Sequence, residues 1–259
     1  MLYSVVIFSA EGGYRVIIDA HAHVGQGRYK SLLPDELLRQ MDCAGVERAI
    51  LCPVEEQIVL HNRAGNDYIL TQIRRFPGRF WGFAVANPWY GQSAVSELER
   101  ALGEGLRGVK FHPVYQGFSV NDSIVYPLIE VAVDHQVPVY VHTGTPHFGE
   151  PFKLVELARR FPEIPFIMGH AGASDFWPDL PRCHQFAPNI LFETSRNGPG
   201  NFASMIRELG ADVLVFGSNA PESLYEVELA NIRDVIFQPA DLAKVLGQNI
   251  LRALGESLP

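Results

Sequence analysis

Five of the nine histidines stand where a short apolar run of the sequence ends. They are His21, His23, His112, His142 and His170. Imidazole binds borderline cations such as Zn²⁺ and carries protons near neutral pH. One such histidine alone is more often a satisfied core residue. Because the same placement recurs from run to run, we expect a centre that holds one divalent metal ion.

The first of these runs ends in Asp19-Ala20-His21-Ala22-His23. Alternate residues of a strand share a face, so Asp19, His21 and His23 are expected to point the same way. Two imidazoles in this spacing can bind one cation without bending the chain. An isolated His-x-His is common by chance, but its position at the end of a first strand makes it informative.

A lysine lies in the fourth run, Gly108-Val109-Lys110-Phe111-His112-Pro113. Lys110 and His112 share a face by alternation. A lysine inside a fold is costly unless it is paired or used. Three roles are open at this point: neutralising a substrate carboxylate, carbamylation into a metal ligand, or an internal ion pair with Asp19 or Glu193.

The segments that follow the runs are rich in aromatic and cationic residues. We expect a pocket for a small, flat, acidic ligand, contacted by Lys110, His112, Arg196 and Trp177. The competing interpretation is that the aromatic residues cap the fold or form a contact in a homodimer.

Eight apolar runs alternate with amphipathic segments that have helical spacing. The runs are Val16–Asp19, Arg48–Cys52, Phe80–Ala86, Gly108–His112, Val137–His142, Pro165–His170, Ile190–Ser195 and Val213–Gly217. The expected helices are Pro34–Ala44, Ser93–Leu102, Ile124–His135, Phe152–Phe161, Phe202–Leu209 and Tyr225–Ile232, with a closing helix pair from about residue 240. This alternation predicts an α/β fold, a (β/α)8 barrel with parallel strands whose active site lies at the strands' carboxyl ends.

Residues 1–259 are expected to form one domain, in which Leu2–Ala10 adds a short amino-terminal strand or hairpin. The formal net charge of −8 disfavours a nucleic-acid partner. No apolar run reaches the roughly 20 residues of a membrane helix. The three scattered cysteines disfavour a disulfide framework. We therefore expect a cytoplasmic enzyme with a small-molecule substrate.

Taken together, these motifs resemble the amidohydrolase superfamily, in its amidohydrolase-2 branch that includes aminocarboxymuconate-semialdehyde decarboxylase and related decarboxylases and lactonases. The matching pieces are Ile18–His23, Gly108–Pro113, Val141–Gly144, Gly169–Gly172, Phe216–Pro221 and Leu246–Leu251. The resemblance covers the chain after about residue 15. It implies metal ligation by His21, His23 and His142, and contact of His170 with the metal-bound water or the substrate.

The resemblance also implies an aspartate after the eighth strand, where it binds the metal and accepts a proton from water. This chain has Asn219 instead. An amide oxygen can bind a cation weakly, but it cannot accept a proton near neutral pH. Three explanations are open: His170 serves as the catalytic base beside Asn219, the chain is an impaired metal-binding relative, or the residue is an engineered substitution. We favour the first.

Two reactions fit such a site. The first is hydrolysis of a lactone, ester or amide of a small organic acid, which is the main expectation. The alternative is non-oxidative decarboxylation of an unsaturated or aromatic carboxylic acid. Both need a polarising cation, expected to be Zn²⁺ with Mn²⁺ as an alternative, and a group that moves a proton.

Overall fold

The computed structural model describes residues 16–173 and 176–256, apart from the side chain of Trp177. Its strands are β1 (Ile18–Gln26), β2 (Ser31–Leu32), β3 (Arg48–Pro53), β4 (Phe80–Gly82), β5 (Ala84–Val85), β6 (Val109–Phe111), β7 (Val139–His142), β8 (Phe166–Gly169), β9 (Ile190–Glu193) and β10 (Leu214–Val215). Its α-helices are α1 (Pro34–Ala44), α2 (Glu55–Val59), α3 (Asn62–Arg75), α4 (Gln92–Gly103), α5 (Pro113–Gln116), α6 (Tyr126–Asp134), α7 (Pro151–Arg160), α8 (Leu180–Phe186), α9 (Pro199–Leu209), α10 (Tyr225–Arg233), α11 (Pro239–Ala243) and α12 (Asn249–Ala253). Across these described ranges, no helix is long and apolar enough to cross a membrane.

Strand pairing produces two sheets, ordered β2-β1-β3-β4 and β10-β9-β8-β7-β6-β5. All pairs are parallel except β1 with β2. The sheets join at Phe83, whose N–H donates to Leu51 (3.0 Å) before the next residue turns to β6. On the other side, Ala20 donates to Phe216 (2.9 Å) and Asn219 donates to His21 (2.8 Å). These backbone bonds close the ring, and the predicted (β/α)8 barrel is confirmed.

The strands form because several of the predicted runs are apolar almost throughout, as parallel strands covered on both faces require. Each of the eight runs overlaps a strand, and the third overlaps two; β1 extends seven residues beyond its predicted run. The short strand β2 was not predicted; it turns back antiparallel against the end of β1. The expected amino-terminal strand Leu2–Ala10 lies outside the described residues.

Helix α1 has the predicted bounds, and the helices expected at five further places differ from prediction by a few residues at their ends. Helix α3 was missed because Asn62, Gly65 and Asn66 lie on its buried face and interrupt the apolar periodicity. The Asn66 side chain accepts from the N–H of Val85 (2.8 Å) and donates to its carbonyl (3.0 Å). This pairing extends the edge of β5 and fixes α3 against the barrel.

The barrel interior has an apolar lower layer and a polar upper layer. Ile18, Ile50, Phe83, Tyr140 and Ile167 belong to the buried cluster inside the ring, whereas the alternate residues of the same strands pack outward against the helices. The histidines follow at the carboxyl ends of the strands, directly above this apolar layer. This packed apolar layer therefore fixes the level along the barrel axis at which the polar side chains meet.

Candidate metal centre and active site

The five histidines predicted at strand ends converge into one cluster. The ring centroids of His21 and His23 are 4.8 Å apart, those of His21 and His170 5.4 Å, and those of His142 and His170 4.7 Å. His112 stacks on His142 at 3.9 Å. Three of the histidines lie in strands β1 and β7, and the other two directly follow β6 and β8. The barrel thus brings together the five histidines that the sequence predicted to meet.

Hydrogen bonds determine which nitrogen carries the proton in His21 and His23. Nδ1 of His23 lies 2.8 Å from the carbonyl oxygen of Pro53, so it must donate. The hydroxyl of Tyr140 donates to Glu193 (2.8 Å) and therefore accepts from Nδ1 of His21 (2.8 Å). Both Nε2 atoms are left with lone pairs, and they face each other at 3.0 Å. Such a pair needs a cation or a proton between its members.

The same reasoning assigns His142 and His170. The hydroxyl of Ser195 donates to Glu193 (3.0 Å), so Nδ1 of His170 must donate to Ser195 (2.8 Å). Nε2 of His170 then accepts from Nδ1 of His142 (3.1 Å). Nε2 of His142 is left with a lone pair as well. His21, His23 and His142 thus each present an unprotonated Nε2, as metal-binding imidazoles must.

Glu193 at the end of β9 is the hub of this network, and its role was missed in the sequence. It is fully buried. Oε1 accepts from the N–H of Ser195 (2.6 Å), and Oε2 accepts from Tyr140, Ser195 and the N–H of His170 (2.9 Å). A Cβ at Gly217 would collide with its carboxylate. The carboxylate therefore orients two histidine rings through hydroxyl groups.

A second set of donor atoms also lies close together. One ligand atom each from His21, His170 and Glu193 lies within 4.8 Å of the others. Oε2 of Glu193 already accepts three hydrogen bonds, and Nδ1 of each histidine donates to a hydroxyl. Binding a cation there would break these hydrogen bonds, whereas binding at the Nε2 atoms of His21 and His23 would displace only the Lys110 ammonium group.

Lys110 lies beside the facing Nε2 atoms. Its Nζ is 2.6 Å from Nε2 of His21 and 3.9 Å from the ring centre of Tyr140. The predicted alternative of an ion pair with Asp19 or Glu193 is not formed, since no salt bridge of the described residues includes Lys110. Burial lowers the pKa of Lys110 to about 8. The side-chain nitrogen of Lys110 donates to the lone pair on Nε2 of His21.

Burial keeps all five rings neutral. It lowers the pKa of each histidine of the cluster well below 6.5, and the positive charge of Lys110 adds to this effect. Neutral imidazole is the form that binds metal ions. The cluster is therefore prepared for a cation at neutral pH and opposes protonation.

Asp19 does not join the histidine cluster, although strand alternation predicted that it would. Its carboxylate accepts from the N–H and hydroxyl of Ser218 (2.8 and 2.6 Å) and from the hydroxyl of Tyr225 (2.7 Å). The register of β1 against β3 shifts between Asp19 and Ala22, which breaks simple alternation. Burial raises the pKa of Asp19 to about 6. This carboxylate ties β1 to the segment after β10.

Asn219 stands beside the cluster in the left-handed region (φ 56°), where its N–H donates to the carbonyl of His21. Its side-chain Nδ2 donates to Oε2 of Glu222 at 2.8 Å. Oε1 of Glu222 pairs with Lys30 at 2.7 Å. Burial raises the pKa of Glu222, but the bonds from Lys30 and Asn219 outweigh it and leave a net lowering. Sequence reasoning missed Lys30 and Glu222, which lie in irregular segments.

The three remaining predicted contacts differ in position. His112 is held between the rings of Tyr115 (3.8 Å) and His142 (3.9 Å), so only its edge can meet a ligand. Arg196 is half-exposed, adopts φ 63°, and lies 3.9 Å from Glu222. Its charge adds to the effect of burial in lowering the pKa of His142. The side chain of Trp177 lies outside the described residues.

Comparison with known proteins identifies the family. The family model Amidohydro_2, described as Amidohydrolase, matches residues 18–255. The chain belongs to the amidohydrolase family. The predicted resemblance is confirmed, and the region that matches the family contains the whole histidine cluster of this amidohydrolase.

Three similar proteins are decarboxylases by name. A gamma-resorcylate decarboxylase from Polaromonas sp. (strain JS666) is 25% identical, over 73% of this chain and 77% of the relative. The solved 5-carboxyvanillate decarboxylase from Sphingomonas paucimobilis has a TM-score of 0.75 at 18% identity, covering 94% of this chain and 100% of the other. A dihydroxybenzoic acid decarboxylase from Polaromonas sp. JS666, with manganese and 2-nitroresorcinol bound, has a TM-score of 0.75 at 19% identity, covering 93% and 97%.

Proposed function

We propose that this amidohydrolase is a metal-dependent, non-oxidative decarboxylase of a small aromatic or unsaturated carboxylic acid. The observation that carries the proposal is Asn219, which stands where hydrolysis needs a carboxylate to take a proton from water. Decarboxylation has no water to deprotonate. It needs a held carboxylate and a proton delivered to carbon. The relatives named above are decarboxylases, which supports this choice over the hydrolysis that was the main expectation from sequence.

The residues that would hold the cation are His21, His23 and His142, with the amide oxygen of Asn219 as a weaker fourth ligand. The unprotonated Nε2 of each of these rings supports the set, and those of His21 and His23 face each other at 3.0 Å; binding would have to draw His142 toward them, since the described group with ligand atoms within 4.8 Å of one another is His21, His170 and Glu193. When bound, the ion polarises the substrate's acidic groups as a Lewis acid. Three imidazole ligands suit Zn²⁺, whereas a carbonyl oxygen such as that of Asn219 suits Mn²⁺, and the manganese in a similar structure adds weight to Mn²⁺. Lys110 must leave Nε2 of His21 for the ion to bind there.

Positive charge would hold the substrate's carboxylate. Lys110 is buried within the cluster, and Arg196 lies at its half-exposed rim. A planar acid entering between them gains charge-assisted hydrogen bonds from both. The edge of His112 adds a third proposed contact, and Trp177 stays a contact predicted from sequence. This arrangement selects flat anions over neutral esters or amides.

The reaction breaks the bond between a ring or alkene carbon and the carboxyl carbon. Carbon dioxide leaves, the electron pair stays on the remaining carbon, and that carbon takes up a proton. His170 is the residue proposed to move this proton: Nδ1 is held through Ser195 to buried Glu193, so Nε2 would carry the proton after giving up its bond from Nδ1 of His142. The negative charge of a bound acid favours a protonated His170, which opposes the lowering of its pKa by burial.

The test is a panel of acids incubated with the purified chain loaded with Mn²⁺ or Zn²⁺. The panel contains gamma-resorcylate and 5-carboxyvanillate, and a parallel panel contains lactones and esters. We expect release of carbon dioxide and, in deuterated water, one deuterium in the product at the vacated carbon. Hydrolysis of the second panel without decarboxylation of the first would overturn the proposal.

Variants separate the chemistry from the fold. His170→Asn keeps a polar side chain of similar size but removes the titrating ring, and we expect it to lose about 10²- to 10⁴-fold in kcat. His61→Asn is the matched control, because His61 is exposed on the outer surface between α2 and α3. An impaired relative that only binds metal would show metal uptake with no turnover in any of these proteins.

A further inference from the structure

The carboxylate of Glu222 is held from three sides at the edge of the histidine cluster. Asn219 donates to Oε2 from Nδ2 (2.8 Å), and Arg196 lies 3.9 Å from the same oxygen. Lys30 pairs with Oε1 at 2.7 Å. The N–H of Glu222 also donates to the carbonyl of Asn219 (2.9 Å), which forms a tight turn between the two residues. The carboxylate is therefore fixed relative to the amide.

This contact determines how the amide of Asn219 is turned. The oxygen and nitrogen of a carboxamide are nearly the same size, so shape alone does not choose between its two orientations. An ionised carboxylate only accepts hydrogen bonds. It therefore requires Nδ2 on its side, and Oδ1 occupies the opposite edge of the planar group. Without Glu222 the amide is free to reverse.

We propose that Glu222 is the positioning residue of the metal centre, because it keeps the oxygen of Asn219 and not its NH₂ group available to the cation. An NH₂ group has no lone pair to offer a metal ion, so a reversed amide would repel it. Lys30, from the turn between β1 and β2, holds Glu222 in place. The inference rests on the proposed function, since it requires that the histidine cluster binds a cation.

The proposal also accounts for the departure from the expected aspartate. An aspartate at position 219 would place its carboxylate against that of Glu222, at the distance now spanned by a hydrogen bond. Like charges this close oppose each other strongly. The amide at 219 and the carboxylate at 222 are thus a matched pair, and either change alone disrupts the pair.

The experiment measures the dissociation constant of Mn²⁺ for the full chain, from the electron paramagnetic resonance signal of the free ion. The first variant is Glu222→Gln. Lys30 still binds the side-chain oxygen of the introduced glutamine, so the glutamine's NH₂ group faces Asn219. Two NH₂ groups cannot pair, so the amide of Asn219 turns over. We expect a loss of affinity of about 10- to 100-fold. Glu222→Ala removes the same charge but leaves the amide free to turn its oxygen to the ion, so its loss is smaller.

The double variant Asn219→Asp with Glu222→Gln supplies the rescue. The introduced carboxylate accepts from the introduced amide with one oxygen and offers the other to the ion, so the affinity returns at least to that of the wild type. Glu226→Gln, four residues further on and exposed, is the charge-matched control. Melting temperatures of the metal-free variants establish that each is folded.

Two results would overturn the inference. If Glu222→Gln and Glu222→Ala weaken Mn²⁺ binding equally, Glu222 acts through its charge alone. If neither variant weakens binding, Glu222 has no role at the metal centre. The proposed function stands in both cases. If the wild type binds no Mn²⁺ or Zn²⁺, both the proposed function and the positioning role fail together.

Discussion

The phenolic oxygen of Tyr140 lies 2.8 Å from Nδ1 of His21, and this contact decides which nitrogen of that ring carries a proton. Because Tyr140 gives its own proton to Glu193, it accepts from His21. The lone pair of His21 is thereby placed on Nε2, next to that of His23. A residue in the apolar floor of the barrel thus sets the chemistry of the layer above it.

Removing this hydroxyl by Tyr140→Phe leaves the buried Nδ1 of His21 without a hydrogen-bond partner and takes one of three hydrogen bonds from Oε2 of Glu193. We expect a loss of about 1–3 kcal/mol in the free energy of unfolding and a weaker affinity for Mn²⁺. Urea unfolding and metal titration measure the two effects. Tyr126→Phe, a similar change on helix α6, serves as the control. Equal behaviour of the two variants would contradict the role of Tyr140.

Removing a proposed metal ligand should lower the affinity for the metal ion more than removing Tyr140 does. In His142→Ala we expect the affinity for Mn²⁺ and Zn²⁺ to fall by more than the roughly 10- to 100-fold typical of residues that only support a ligand. Equilibrium dialysis followed by elemental analysis measures this loss. His61→Ala controls for the removal of a histidine that lies outside the cluster. Retention of a full equivalent of metal by His142→Ala would exclude His142 as a ligand.

Ser195 transmits the orientation of His170 to Glu193, and Ser195→Ala breaks that connection. We expect kcat for decarboxylation to fall by about 10- to 100-fold, with little change in KM, because the substrate's carboxylate is held by other groups. Steady-state kinetics separates the two constants. Ser93→Ala, on the exposed start of helix α4, is the control. A rise in KM with unchanged kcat would assign Ser195 to substrate binding instead.

Lys110 competes with the cation for Nε2 of His21 while it is protonated. Since the pKa of Lys110 is about 8, the affinity of the wild type for Mn²⁺ is expected to rise as the pH increases through this value. Lys110→Met should bind the ion more tightly at pH 7, lose that pH dependence, and show a higher KM for the acid. Isothermal titration calorimetry from pH 6.5 to 9 provides the comparison. Weaker metal binding by Lys110→Met would contradict competition.

The histidines also predict the pH dependence of stability. Their pKa values are lowered in the fold, so the unfolded chain binds more protons as the pH falls below about 6.5. The stability present above this pH is therefore lost on acidification. Burial raises the pKa of Asp19 from 3.8 to about 6 and that of Glu228 from 4.5 to about 7, so both oppose this trend, but they are two groups against five. Urea unfolding of the metal-free chain from pH 8 to 5 should show uptake of more than one proton.

The position of the histidines could be predicted from sequence, because it follows from two local rules. Alternate residues of a strand share a face, and the active site of a barrel lies at the carboxyl ends of its strands. Glu193 could not, since it lies in the apolar run of β9 and stood out only as a charge in a core strand. Tyr140 looked like an ordinary core aromatic for the same reason. Their role depends on contacts between strands, which no pattern within one strand reports.

The roles of Lys30 and Glu222 are still harder to predict from the sequence. They lie in turns without periodicity, and their ion pair joins segments far apart in the chain. Asp19 illustrates the opposite limit: alternation predicted its direction, but the register shift in β1 turned its carboxylate toward Ser218. Such a register shift depends on how all the strands of the closed barrel pair, so the sequence of one strand does not predict it.

The bond between Asp19 and Ser218 joins positions 199 residues apart in the chain. The ring is therefore closed by its first and last strands, at the same place where His21, His23 and Asn219 meet. During synthesis the two histidines of β1 are made well before the segment that completes their surroundings. Contacts of such long sequence separation form late in folding, so metal capture by this chain would report the arrival of its final strand.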